Sequence, residues 1–178
     1  MVSDACGGNN GVASAEYLHL VHESQRALHR RMLRGTQPAP DELAGIEFRG
    51  TNVPAASRAL GLRRFIKGFE TRDDGALIGY NRHVRGGRLD TAWTPSPWQG
   101  KERFGYYRVT PVDPSARDNR YLNALLLDYG SGLNPPHDVT AVLRDYLVRT
   151  DEGLLLGRAY VALGRVRIPI GYFALEPL

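Results

Sequence analysis

Cysteine is almost missing from this chain of 178 residues: there is one, Cys6, among the Gly- and Asn-rich residues of the start. A single thiol cannot staple a fold, so stability has to come from a packed core, and this usage fits a reducing cytoplasm. Long apolar runs are missing too. None approaches the roughly 20 residues that a membrane-spanning helix needs, and residues 1–11 lack the basic start and apolar stretch of a secretory signal. A soluble, cytoplasmic protein without a membrane span is the expectation. Lysine is scarce as well: of 23 basic residues only Lys67 and Lys101 are lysine, and the other 21 are arginine. A GC-rich bacterial genome produces such a bias. The net charge is +4, yet the densest basic clusters are the short Arg30-Arg31…Arg34 and Arg63-Arg64…Lys67. No block of like charges tracks a phosphate backbone, so nucleic acid is not an expected partner.

Several catalytic signatures are absent. Gly130-Ser131-Gly132 lacks the following Lys of a phosphate loop and the spacing of a dinucleotide site. No G-x-S-x-G elbow occurs, and the lone Cys lies in a tail. H-E-x-x-H and Cys pairs are missing. His19, His22 and Glu23 share a helical face at i, i+3, i+4 spacing, with His29 further along it; a solvated His-rich face is the expected reading. No metal and no cofactor are implied.

What remains is a globular composition, 42% hydrophobic and 24% charged, in a length that suits one domain. Residues 1–13 read as a disordered arm, with nothing to bury in Gly7-Gly8-Asn9-Asn10-Gly11. Ser14 can cap a helix over about 15–34, because Leu18, Val21, Leu28 and Met32 recur at helical spacing and Gly35 follows as a stop. The helix, within 14–36, is expected to pack on a β-barrel domain at 41–178. Gln37-Pro38-Ala39-Pro40 is a stiff linker. Short β-like runs then follow at 44–50, 64–71, 76–85, 88–94, 103–112, 121–129, 144–150, 154–163 and 166–176. A helical turn is expected at 54–60 and another at 137–143, the latter capped by Asp138. Turn chemistry at Asp73-Asp74-Gly75, Gly86-Gly87, 113–119, Asp151-Glu152-Gly153 and Gly164-Arg165 joins the runs as hairpins. Eight or nine such strands form a mostly β, antiparallel up-and-down meander. Closure into a barrel removes its exposed edges.

Alternation assigns strand faces. Phe104, Tyr106 and Arg108 oppose Gly105, Tyr107 and Val109; Asn123, Leu125, Leu127 and Tyr129 oppose Ala124, Leu126 and Asp128. Leu154, Leu156, Arg158 and Tyr160 oppose Leu155, Gly157 and Ala159, and both faces of the last strands are apolar. Faces that mix Tyr, Arg and Asn with Leu suit a cavity with polar anchors, the alternative being a filled barrel whose polar tips reach solvent. Asp128 needs a partner if buried, and Arg158 is the expected one. Trp93 and Trp98 flank Thr94-Pro95-Ser96-Pro97, which reads as a lid over the mouth.

The run Gly45-Ile46-Glu47-Phe48-Arg49-Gly50, after a helix and linker, resembles the start of lipocalin-like (calycin) barrels, including the bacterial GXWXG and nitrobindin-like groups. The family's Trp position is taken here by Glu47 or Phe48, depending on register. The ending, 154–160 followed by 172–176, is similar to the closing hairpin of such barrels. The segments 104–109 and 124–130 resemble a bacterial family with no assigned activity. The resemblance implies a barrel around a ligand. A nitrobindin-like haem would need a His near the last strands, and residues 138–178 contain none.

The functional expectation is therefore a barrel cavity that binds a small, mainly hydrophobic molecule. Phe104, Tyr106, Tyr107, Arg108, Asp128, Tyr146 and Phe173 are candidate ligand contacts, with Arg108 or Arg158 as polar anchor. The alternative is a cofactor-independent enzyme, a cyclase or isomerase, with His83 and Tyr160 as acid–base groups and Arg158 as charge stabiliser. An interaction role for the basic end of the helix and a homodimer both stay open.

Overall fold

The computed structural model describes residues 12–53, 63–85, 88–89, 91–97 and 99–178. The turn expected at 54–60, the Gly86-Gly87 hairpin, Cys6 and Trp98 fall outside them.

The N-terminal segment forms two helices where the periodicity predicts one. Ser14 caps α1 (Ala15–His22), its hydroxyl accepting from the Tyr17 amide at 3.1 Å. Glu23 and Ser24 are extended, and Ser24 opens α2 (Gln25–Arg34) by accepting from the Ala27 amide. A serine hydroxyl competes with the helix for backbone donors, which is how it restarts the helix here. The break lets each helix turn its own stripe inward: Tyr17, Leu20 and Val21, then Leu28 and Met32. Gly35 ends α2 where a β-carbon would come within 2.6 Å of Val148.

Nine strands follow among the described residues: β1 (Glu47–Asn52), β2 (Arg64–Thr71), β3 (Leu77–Val84), β4 (Pro95–Ser96), β5 (Phe104–Pro111), β6 (Leu125–Asp128), β7 (Leu143–Arg149), β8 (Leu155–Leu163) and β9 (Val166–Pro177). Eight of them close an antiparallel up-and-down barrel in the order β1-β2-β3-β5-β6-β7-β8-β9, and β4 hangs on the outer end of β3. The run at 88–94 is thus replaced by a two-residue strand just after it. The barrel closes where β1 pairs with β9, Phe48 opposite Pro177 and Asn52 opposite Phe173. Next along that seam the buried Arg49 and Glu176 face each other, 3.3 Å apart. Glu176 also accepts from the Ser14 amide, and the Tyr17 hydroxyl donates to Thr51 at 2.7 Å, so α1 is clamped across the closure.

Both sides of the wall are packed, as the apolar last strands require. Outside, the helices cover Tyr146, Val148, Leu156, Tyr160, Tyr172 and Ala174. Inside, one end is filled by Phe48, Phe69, Leu125, Leu147, Leu155 and Leu175, with Leu43 beneath them. Phe69 meets Phe48 and Tyr107 edge to face, with centroids 5.6 and 5.8 Å apart. The lumen has room for these rings because glycines face them: a β-carbon on Gly79 would overlap the Tyr107 ring, and one on Gly157 the Phe173 ring.

Two irregularities redirect side chains. On β5, Gly79 pairs with Tyr107 but Asn81 pairs with Phe104, so Gly105 and Tyr106 bulge, with Gly105 at φ +55°. Phe104 and Tyr107 thereby both face inward, although strict alternation separates them. Along β8 and β9, Ala159 pairs with Gly171 but Tyr160 with Pro169, so Ile170 of β9 bulges and lines the lumen.

Replacing Gly157 with Ala forces Phe173 out of place. Thermal or urea denaturation should show a loss of about 1–3 kcal/mol, the usual cost of overpacking a core; an unchanged midpoint would mean the ring moves freely.

Candidate functional site

The filled end of the barrel leaves the other end hollow. A cavity of about 480 Å³ opens there, walled by Phe65, Phe104, Leu143, Ala159, Ile170 and Phe173. The long β6–β7 connection arches beside its mouth and contributes His137, Asp138, Val139 and Thr140. Asn134 pins that connection, its amide nitrogen donating to the Tyr106 and Tyr129 carbonyls at 2.7 and 2.9 Å. Asp138 caps the short 3-10 turn Val139–Val142, as its position suggested, by accepting from the Thr140 amide at 2.8 Å. Gln99 and Lys101 also contribute to the lining.

The floor is polar. Lys67 projects from the centre of β2, between Phe65 and Phe69 on the same inward face, and its side chain is 2% exposed. Its amine donates to the Tyr129 hydroxyl at 2.7 Å and to the Asn81 side-chain oxygen at 3.1 Å. Asn81 is held in turn by donating to the carbonyl of the bulged Gly105. Asp145, between Leu143 and Leu147 on β7, lies 3.7 Å from the Lys67 nitrogen. One carboxylate oxygen of Asp145 accepts from the Tyr129 hydroxyl at 3.1 Å. The other is buried without a hydrogen-bond partner among the described residues. The rings of Tyr107, Tyr129 and Phe173 surround the Lys67 nitrogen, their centroids 4.3–5.2 Å away.

Burial sets the protonation of this floor. It pulls the Lys67 ammonium down to about 8, with Asp145 opposing part of the shift. It raises the Asp145 carboxyl, against the nearby Lys67 and the Tyr129 hydrogen bond. Both groups are driven toward their uncharged forms. Tyr129 and Tyr107 are pushed well above the ordinary phenol value by burial and then by Asp145.

The residues singled out from sequence fall in three places. Phe104 and Phe173 line the cavity. Tyr107 lies beneath it, its ring under Lys67 and its hydroxyl donating to the Gly68 carbonyl at 3.0 Å. The others are dispersed. His83 stands opposite Phe65, past Asn81, and bonds to the Ser96 hydroxyl at 2.7 Å rather than lining the cavity. Tyr146 and Tyr160 turn outward under the helices, stacked edge to face at 5.7 Å. Tyr106 is on the outer rim, clipped through its backbone to Asn134, and Arg108 is exposed. Asp128 is also on the outer wall, and the pair expected with Arg158 is not made. Arg144, directly across the β6–β7 ladder, takes Asp128 at 3.1 Å, while Arg158 lies one strand further and covers the Tyr172 ring at 4.1 Å. The nearer cross-strand neighbour wins. Trp93 does not cap the mouth either: it is buried on the outer wall under the Arg64 guanidinium, 4.0 Å away.

Lys67, Asn81, Tyr129 and Asp145 were missed as a site. Their signal was present: Phe65-x-Lys67-x-Phe69 and Leu143-x-Asp145-x-Leu147 each carry one charge on an apolar face of period two. Among the described residues no group of three or more His, Cys, Asp or Glu is placed to hold a metal ion, and no helix is long and apolar enough to cross a membrane.

A scan against protein-family models finds no match, and neither do searches of curated proteins and of solved structures. Fold and cavity define the class by themselves: a closed eight-stranded antiparallel barrel, consistent with lipocalin-like barrels, with one end packed and the other a cup.

The depressed Lys67 value carries a sign. The unfolded chain holds its proton up to about 10.5 and the folded chain only to about 8, so stability rises with pH across that window. Urea denaturation of wild type and Lys67→Met should give a difference that grows in favour of wild type from pH 8 to 10.5, by at most about 3 kcal/mol. A difference flat in pH would show an ordinary amine.

Proposed function

We propose that this protein binds a small, mainly hydrophobic molecule in the open half of the barrel, with the polar end of the ligand against the floor. One observation carries the reading: a cavity of about 480 Å³ walled by aromatic and aliphatic side chains ends on a buried Lys67 and on an Asp145 oxygen without a partner among the described residues. That volume is within the ~300–1,000 Å³ of small-molecule sites, and a few convergent polar groups in an apolar pocket are their usual chemistry. The anchor in this reading is Lys67 with Asp145, in place of Arg108 or Arg158. A ligand with both an acceptor and a donor at one end suits it, the acceptor for the Lys67 amine and the donor for the open Asp145 oxygen. The likeness to lipocalin-like barrels supports the same reading by architecture alone.

The catalytic alternative keeps one specific support. An acid and a base whose charged forms are both disfavoured lie 3.7 Å apart at the end of an apolar cup, an arrangement suited to proton transfer. We assign those roles to Lys67 and Asp145 rather than to His83, Tyr160 and Arg158.

The neutral fluorescent probe N-phenyl-1-naphthylamine tests the binding reading. It should bind wild type saturably with enhanced emission. Ala159→Phe, which grows a ring into the cup from the position facing Asp145, should weaken it about tenfold, or 1.4 kcal/mol, with its circular dichroism unchanged. Equal affinity in that folded variant would put the probe elsewhere and overturn the reading.

A further inference from the structure

We propose that Lys67 is a nucleophilic amine that captures an aldehyde or ketone ligand of this cavity as a protonated imine, with Asp145 as proton donor and counter-ion. The inference deepens the binding reading and rests on it.

Three observations converge on a carbonyl. The first is where lysine is kept. Arginine supplies 21 of the 23 cations, and the two lysines, Lys67 and Lys101, both line this one cavity. An arginine would anchor an anion with more hydrogen bonds, but its guanidinium does not act as a nucleophile. Lysine at the floor is what covalent carbonyl chemistry requires. The second is the geometry at the nitrogen. The two hydrogens of a neutral amine are accounted for by the acceptors Tyr129 and Asn81, at 2.7 and 3.1 Å. The lone pair is then left to the cavity that the side chain lines. Burial, which lowers the Lys67 value to about 8, supplies that neutral form near neutral pH. The third is Asp145, whose second oxygen has no partner among the described residues. Burial raises its carboxyl above the ordinary carboxylate value, and at 3.7 Å from the Lys67 nitrogen it is placed to take up and return the proton that the amine gives up.

The step balances without a cofactor. The Lys67 lone pair forms a C–N bond to the carbonyl carbon, and the C=O π pair moves to oxygen, which takes a proton from the nitrogen to give a carbinolamine. Asp145 then protonates that hydroxyl and the C–O bond breaks, releasing water. The nitrogen lone pair closes the C=N bond, leaving a cationic imine beside the Asp145 carboxylate. The neutral amine and the carboxylic acid of this step thus become an ion pair, with Tyr129 still donating to the carboxylate. The aliphatic or aromatic remainder of the ligand lies against Phe65, Phe104, Ile170 and Phe173.

Octanal with sodium cyanoborohydride tests this on the full chain, because hydride reduces the imine to a stable secondary amine that peptide mapping locates. Lys101 is exposed at the rim and, with the amino terminus, serves as internal control. Lys67 should be alkylated at least about tenfold faster than Lys101, since only the neutral amine reacts. Its rate should climb between pH 6 and 8, and 1-octanol should slow it more than it slows Lys101. Asp145→Asn should slow Lys67 labelling relative to Lys101, and Lys67→Met should lose that adduct altogether, with circular dichroism reporting that both variants are folded. Labelling of Lys67 no faster than Lys101 in a protein that binds the probe would overturn the imine and leave the binding reading intact. Failure of both probe and octanal to enter would overturn both.

Discussion

The ladder between β1 and β9 is the constraint on which the rest of this structure depends. A meander of eight strands is a sheet with two raw edges until its first and last strands meet, and every inward or outward assignment is meaningful only after they do. Here the meeting is secured chemically. Arg49 and Glu176 form a buried pair across the seam, and Glu176 also holds the start of α1 through the Ser14 amide. The Tyr17 hydroxyl on Thr51 adds a second tie from the same helix. A buried ion pair is weak evidence of net stability but good evidence of a specified partner. The helices thus do more than shield apolar wall: they recognise the closed form of the barrel.

Closure then divides the lumen. Eight strands enclose a space that side chains can nearly fill, and at one end they do, with rings laid over glycines. At the other end the wall residues are Asn52, Asn81, Ala159 and Asp145 among the aromatics, too small or too polar to fill it. The result is a cup whose floor is the upper surface of a hydrophobic core. That position explains the unusual electrostatics. Lys67 and Asp145 sit where water is excluded by the packed end, yet they face the open volume of the cup. Desolvation lowers the Lys67 value and raises that of Asp145, and their mutual attraction, at 3.7 Å, opposes both shifts.

Much of the architecture could be read from the residues. The alternation in 123–129 and 154–160 put Leu125, Leu127, Leu155 and Gly157 on the faces they occupy, and turn residues such as Asp73-Asp74-Gly75 marked their hairpins. The site was harder. Tyr146 and Tyr160 looked like cavity residues because a wall apolar on both sides does not say which side is the lumen. The helices took their face. Lys67 looked like part of a basic cluster with Arg63 and Arg64, because sequence adjacency hides that Lys67 and Arg64 point to opposite sides of β2.

The sequence by itself determined the period-two faces, turns such as Asp73-Asp74-Gly75 and Asp151-Glu152-Gly153, and the Ser14 cap of the helical segment, since these depend on neighbours two to four residues apart. Only the tertiary structure decided which face is inside, where the packing stops, and that Lys67 meets Tyr129 and Asp145, 62 and 78 positions away in the chain. The physical reason is closure. Bulges at Gly105 and Ile170 shift register locally, and the curvature of the wall brings distant strands to face each other across a lumen that no local pattern encodes.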